Sequence, residues 1–136
     1  MFDNVFVNPA AYREFLKTGT WPDKTVMVLE GRRAEQKVSI NKRGRSQSAY
    51  LVGLEVHVKD ATLPGGWGFF EFDAGKDSAK IVPRPASCYS CHEMHAAVDT
   101  TFVQFYPTLI GVAAEKKTLS PEFLKEMAPE GGAAPK

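Results

Sequence analysis

The alternation of apolar and polar positions is clearest from Ala49 to Lys59. Tyr50, Val52, Leu54, Val56 and Val58 share one side of an extended chain, and Leu51, Gly53, Glu55 and His57 share the other. A period of two marks a strand, because successive side chains leave opposite faces of a sheet. Thr25-Val26-Met27-Val28-Leu29 reads the same way, with Val26 and Val28 on one face and Met27 and Leu29 on the other. Both faces being apolar, this strand is expected to be central and covered on both sides. After the turn residues Pro64-Gly65-Gly66, Trp67-Gly68-Phe69-Phe70-Glu71-Phe72 reads as an aromatic strand.

Helical signals are fewer. Asn8 is expected to cap a helix that takes Pro9 in its first turn, runs to Leu16 or Lys17 with Tyr12, Phe15 and Leu16 on one stripe, and stops at Gly19. Pro107 to Ala113 and Pro121 to Met127 read as two later helices. Asp73 to Ala86 reads as a loop, Asp99 to Tyr106 as β-like or irregular, and residues 128–136 as a fraying tail. Between Gly31 and Ser48 the chain turns basic, through Arg32, Arg33, Lys37, Lys42, Arg43 and Arg45, with a short strand expected at Val38-Ser39-Ile40.

Charge and length then narrow the field. The 136 residues carry 17 basic and 16 acidic side chains, a net charge of +1, so nothing in the balance drives the chain as a whole toward nucleic acid or a membrane surface. The length suits one domain, residues 1–136, with neither internal repeats nor a boundary. No apolar run approaches the roughly 18 residues of a membrane span. The N-terminus shows no basic region followed by an apolar core.

The chemistry is concentrated in Cys88-Tyr89-Ser90-Cys91-His92. Two thiols separated by two residues, with a histidine directly after the second, form the attachment motif for c-type haem. Each thiol adds to one vinyl group, and the histidine becomes the proximal iron ligand. A thioredoxin-like pair belongs in a βαβ chain, whereas this one looks antiparallel. Structural zinc needs four ligands, and only His92 and His95 lie near. A plain disulfide leaves the histidine unexplained. One covalent haem c is therefore expected, through Cys88 and Cys91, with His92 on the metal. Haem is joined to this motif outside the bacterial cytoplasm, which implies a periplasmic protein whose signal peptide ended before Phe2. The basic loop reads first as a solvated hairpin loop, and second as a holder of haem propionates or a dock for an acidic redox partner.

The motif comes late, behind several strands, and the words around it resemble the cytochrome P-460 family, including its cytochrome c-prime-beta branch. The resemblance rests on Val7-Asn8-Pro9-Ala10-Ala11-Tyr12, Thr18-Gly19-Thr20-Trp21-Pro22-Asp23, Gly53-Leu54-Glu55-Val56 with Val58-Lys59-Asp60, and Gly66-Trp67-Gly68-Phe69-Phe70. It continues through Cys88 to His92 and into Asp99 and Phe102-Val103-Gln104-Phe105-Tyr106-Pro107, covering Phe2 to about Leu109. The resemblance implies an α+β fold, mainly an antiparallel β-sheet with flanking helices, a homodimer, and five-coordinate iron with an open distal side.

In the P-460 branch a lysine of the second strand is bonded to the haem ring and supports hydroxylamine oxidation. Leu29 stands where that lysine belongs, and Lys24 and Lys37 are poorly placed substitutes, so that activity is disfavoured. The c-prime-beta branch lacks the bond and binds nitric oxide in an apolar distal pocket. Met27 and Leu29 suit such a lining, with Phe69 the first choice to cap the iron and Phe70, facing the other way, the second. The resemblance also puts Glu55 at the position of a distal acid, able to exchange protons with bound hydroxylamine or peroxide, its pKa raised by burial beside an apolar wall. The sequence reading is thus a nitric oxide binder. Two readings stand beside it: a peroxidase-type or nitrogen-oxide enzyme using Glu55, and an electron carrier with Met27 as sixth ligand and a small redox partner.

Overall fold

The computed structural model describes residues 1–73 and 75–129. The part of the expected tail at 130–136 lies outside the described residues. Nine regular elements follow one another: β1 (Phe2–Val7), α1 (Pro9–Thr18), β2 (Val26–Val38), β3 (Asn41–Lys59), β4 (Trp67–Phe72), β5 (Ala79–Ile81), α2 (Ser87–His95), α3 (Pro107–Lys116) and α4 (Pro121–Met127). Single 3-10 turns lie at Pro64–Gly66 and Val103–Phe105. The described chain divides into two compact units, one of residues 1–12 and 22–83 and one of residues 13–21 and 84–136.

The first unit is an antiparallel sheet in simple sequence order, β1-β2-β3-β4-β5. A tight turn joins β2 to β3 and loops join β3 to β4 and β4 to β5, whereas α1 intervenes in the chain between β1 and β2. β2 is interior, flanked by β1 and β3, while β3 holds the centre. β5 falls in the stretch expected to be a loop. It is only three residues long and fully exposed, too short and too mixed to show a period.

Register sorts the side chains into two faces. Across one face run the rows Val5–Leu29–Glu55–Glu71 and Val7–Met27–His57–Phe69. The opposite face carries Phe6, Val28, Val56 and Phe70 in one row, with Leu54 and Phe72 in the next. The alternation anticipated along β3 breaks at Val52. Gly53 pairs with Gly31 but Leu51 pairs with Arg32, so one extra residue stands on β3. A bulge of this kind inverts the alternation before it, which moves Leu51 off the face of Gly53 and Glu55.

The basic segment is a correction. It is a two-stranded ribbon, not a loop: β2 continues to Val38, β3 starts at Asn41, and Ser39 and Ile40 form the turn where a short strand was expected. Asn8 stands directly before α1, its carbonyl accepting from the Tyr12 N–H at 3.2 Å, and its side-chain Oδ1 accepts from the Val26 N–H at 2.9 Å, which ties the start of β2 to the end of β1. At the far end of the strands, Lys24 Nζ donates to Asp60 Oδ2 at 2.7 Å, and Asp60 also accepts from the hydroxyl and N–H of Thr62. These donors hold its carboxyl far below the usual carboxylate range, the lysine being the largest cause.

In the second unit Phe15 and Trp21 stack with centroids 4.3 Å apart, and Trp21 Nε1 donates to Thr101 Oγ1 at 2.9 Å. Ala96, Ala97, Val98, Val103, Leu109, Ala113 and Phe123 are buried. Gly19 has φ +74°, and a Cβ there would stand 2.8 Å from Lys116 Cβ and Thr118 Oγ1. Glycine is thus needed both for the conformation that ends α1 and for the close approach. On α1 it is Phe15 and Ala11 that are buried, while Leu16, expected on the same stripe, is 41% exposed. No described helix is long and apolar enough to cross a membrane.

Candidate functional site

The Cys88–His92 motif lies on the helix α2. Helical geometry brings both thiols to one side, since residues three apart lie on one face about one turn from each other. Cys88 is half-buried and Cys91 exposed, and both are free thiols. Tyr89 points the other way and is buried, with the Arg84 guanidinium 4.5 Å above its ring. Arg84 Nη2 pairs with Glu93, while its Nη1 is buried without a hydrogen-bond partner among the described residues. The helix is therefore anchored by Tyr89 on one side and offers its sulfurs on the other.

His92 is held more tightly than its half-exposed position suggests. Its Nδ1 lies 2.9 Å from the carbonyl oxygen of Thr100. A carbonyl only accepts, so Nδ1 carries the proton and the ring's lone pair sits on Nε2. Phe102 packs on the imidazole, centroids 4.3 Å apart at 42°. This is the arrangement that orients a metal-ligating histidine, with the second nitrogen bonded outward.

The carbonyl is presented by a strained turn. Val98 and Thr101 exchange backbone hydrogen bonds of 3.3 and 2.8 Å, and the two residues between them, Asp99 and Thr100, have φ of 44° and 65°. Positive φ at both central residues defines a type I′ turn, which favours glycine or asparagine. A β-branched threonine there is an outlier. Such strain is tolerated where surrounding contacts fix the backbone, and here Val98 is 1% and Thr101 6% exposed. Sequence reading took 99–106 as β-like or irregular and did not place the turn, because no glycine announces it.

The motif residues fit a covalent haem. Two free thiols on one helix face can each form a thioether, and His92 is set in the tautomer that ligates through Nε2. Arg84, which sequence reasoning passed over in favour of the loop at 31–48, adds a cation beside the motif suited to a haem carboxylate.

The other sequence candidates, Met27, Leu29, Glu55 and Phe69, belong to the sheet unit, and register brings all four onto one face. Leu29 lies directly across from Glu55, and Met27 across from His57. Phe69 is buried and stacks on His57, centroids 3.7 Å apart and 14° from parallel. Phe70 is on the opposite face, as anticipated. Glu55 is exposed, so neighbouring side chains do not supply the burial expected for it. Across from it on β4 stands a second carboxylate, Glu71, which the sequence alone could not pair with it. Beside this row the facing glycines 31 and 53 leave a cleft of about 220 Å³, lined by Leu29, Glu55, Glu71 and Phe72. Lys24 is engaged by Asp60, and Lys37 is exposed near the ribbon's tip, so neither stands in for the missing lysine at Leu29.

The family model described as Cytochrome P460 matches residues 1–103. No curated protein matches the chain.

Proposed function

Since this chain belongs to the cytochrome P460 family, a family of haem c cytochromes, we propose that it binds nitric oxide at a five-coordinate haem c joined to Cys88 and Cys91, with His92 as the only protein ligand to the iron. Leu29 carries the reading, because leucine offers no amine to bond the haem ring where the resemblance expects a lysine. When bound, haem supplies an iron with affinity for small neutral ligands. The protein's part is to fix His92 through the Thr100 carbonyl and to set Arg84 against a carboxylate. Met27, Leu29 and Phe69 offer apolar surface on one sheet face. Such surface gives water and anions no hydrogen bonds, which leaves diatomic gases favoured. The setting is the periplasm, where a small redox partner would reset the iron.

The apolar face bearing Val28, Leu54, Val56, Phe70 and Phe72 supports a homodimer, since each of these side chains keeps part of its surface open to solvent. The paired carboxylates Glu55 and Glu71 favour a second reading, an enzyme in which Glu55 moves a proton to or from bound peroxide or a nitrogen compound. Titration of the reduced protein with nitric oxide, beside a peroxide turnover assay of wild type and Glu55→Gln, separates the two. Tight binding that survives Glu55→Gln, with negligible turnover, is expected. Turnover abolished by Glu55→Gln would establish the enzyme instead.

A further inference from the structure

The near-neutral chain conceals a sorted charge. Residues 32–48, the outer part of the β2–β3 ribbon, hold six basic residues and one acidic, a net +5. The rest of the sheet unit holds four basic and eight acidic, a net −4. Among the described residues Arg32 is the one ribbon cation with a close acidic neighbour, its Nε 2.7 Å from Glu30 Oε1, while Arg33 lies 4.0 Å over the Tyr50 ring. Arg33, Lys37, Lys42, Arg43 and Arg45 are exposed, with Glu35 the one acid among them.

At the tip of this cationic ribbon sits an apolar group. Ile40 is 95% exposed in the turn, and Val38 beside it is 39% exposed. Turns normally carry polar residues, and Ser39 with φ 52° meets that expectation where Ile40 does not.

We propose that the ribbon docks on an anionic lipid surface, Ile40 entering the headgroup boundary and Lys37, Lys42 and Arg43 meeting the phosphates around it. Three features favour lipid over an acidic protein. The register shifts between Gly31 and Arg32, Arg32 and Ala34, and Gln36 and Val38 add to the ribbon's twist, which suits a flat protein interface poorly. Its cations are spread over both strands, Arg32, Arg33 and Lys37 on β2 and Lys42, Arg43 and Arg45 on β3. A fluid surface can surround such a tip, and it accepts an apolar side chain of any shape. Reach settles the electrostatics: about seven residues of strand hold the tip roughly 20 Å beyond the rest of the sheet. That is more than two Debye lengths at physiological salt, so the −4 remainder does not cancel the attraction.

The test uses the full-length haem-loaded protein at physiological salt with vesicles of phosphatidylcholine, alone or with about a third phosphatidylglycerol. Sedimentation with the anionic vesicles only is expected, weakened about fivefold per neutralised cation in Lys37→Gln, Lys42→Gln and Arg43→Gln, and about tenfold in Ile40→Ser. Ile40→Trp should show a blue-shifted emission on anionic vesicles and none with polyglutamate. Absence of sedimentation overturns the proposal. So does equal binding to polyglutamate with no emission shift, which would assign the ribbon to an acidic protein. Every substituted residue is exposed, and circular dichroism checks that each variant folds.

Discussion

Thr100 holds a backbone conformation that its side chain disfavours, and its carbonyl is the group that orients His92. The strain has a cost of about 1 kcal/mol, which asparagine, at ease in the left-handed region, would not incur. Thr100→Asn should therefore raise the thermal midpoint by a few degrees while leaving the His92 contact intact, as calorimetry would read. Asp60 gives a pH test. Its carboxyl is lowered in the fold, chiefly by Lys24, so its stabilising contribution is complete above the ordinary carboxylate range and fades as pH falls toward its folded value. Urea unfolding of Asp60→Asn should show a deficit at pH 7 that narrows below about pH 4. The Cys88–His92 spacing was legible at this scale, because haem attachment would require it. The turn that holds His92 was not, because nothing local in Asp99-Thr100 favours it.

Strands announced themselves where one face differs from the other, and failed to where charge overrode the period. β3 was read correctly from Gly53 to Lys59 and misread at Val52, since a bulge adds a residue without changing composition. The ribbon looked like a loop because basic residues crowd both of its strands and leave no apolar alternation. Helix α4 shows the opposite case. Ser120 precedes Pro121, and its hydroxyl both accepts from the Phe123 N–H at 3.1 Å and donates to the Ala96 carbonyl at 2.7 Å. Ser120→Ala removes the cap and the link to the end of α2 together, with an expected loss of about 1 kcal/mol in denaturant unfolding. Had Ser120 served only as a surface residue, the loss would stay within about 0.5 kcal/mol.

At the scale of the molecule, sequence anticipated the α+β class and the antiparallel sheet, because alternation, turn residues and family words agreed. Pairings across the sheet, such as Glu55 with Glu71 and His57 with Phe69, depend on register between distant segments and could not be read. The apolar outer row of Val28, Val56 and Phe70 bears on assembly. Val56→Glu should shift a dimer to monomers in sedimentation velocity without unfolding the chain, and a wild type already monomeric would remove the homodimer from the account. The open iron is tested most directly by an optical spectrum of the reduced protein, with and without carbon monoxide, together with an intact mass. An ordinary haem c spectrum that shifts fully with carbon monoxide is expected, with the mass of the chain plus one haem. Sharp low-spin bands indifferent to carbon monoxide would contradict it, and would place a sixth protein ligand, Met27 first among them, on the iron.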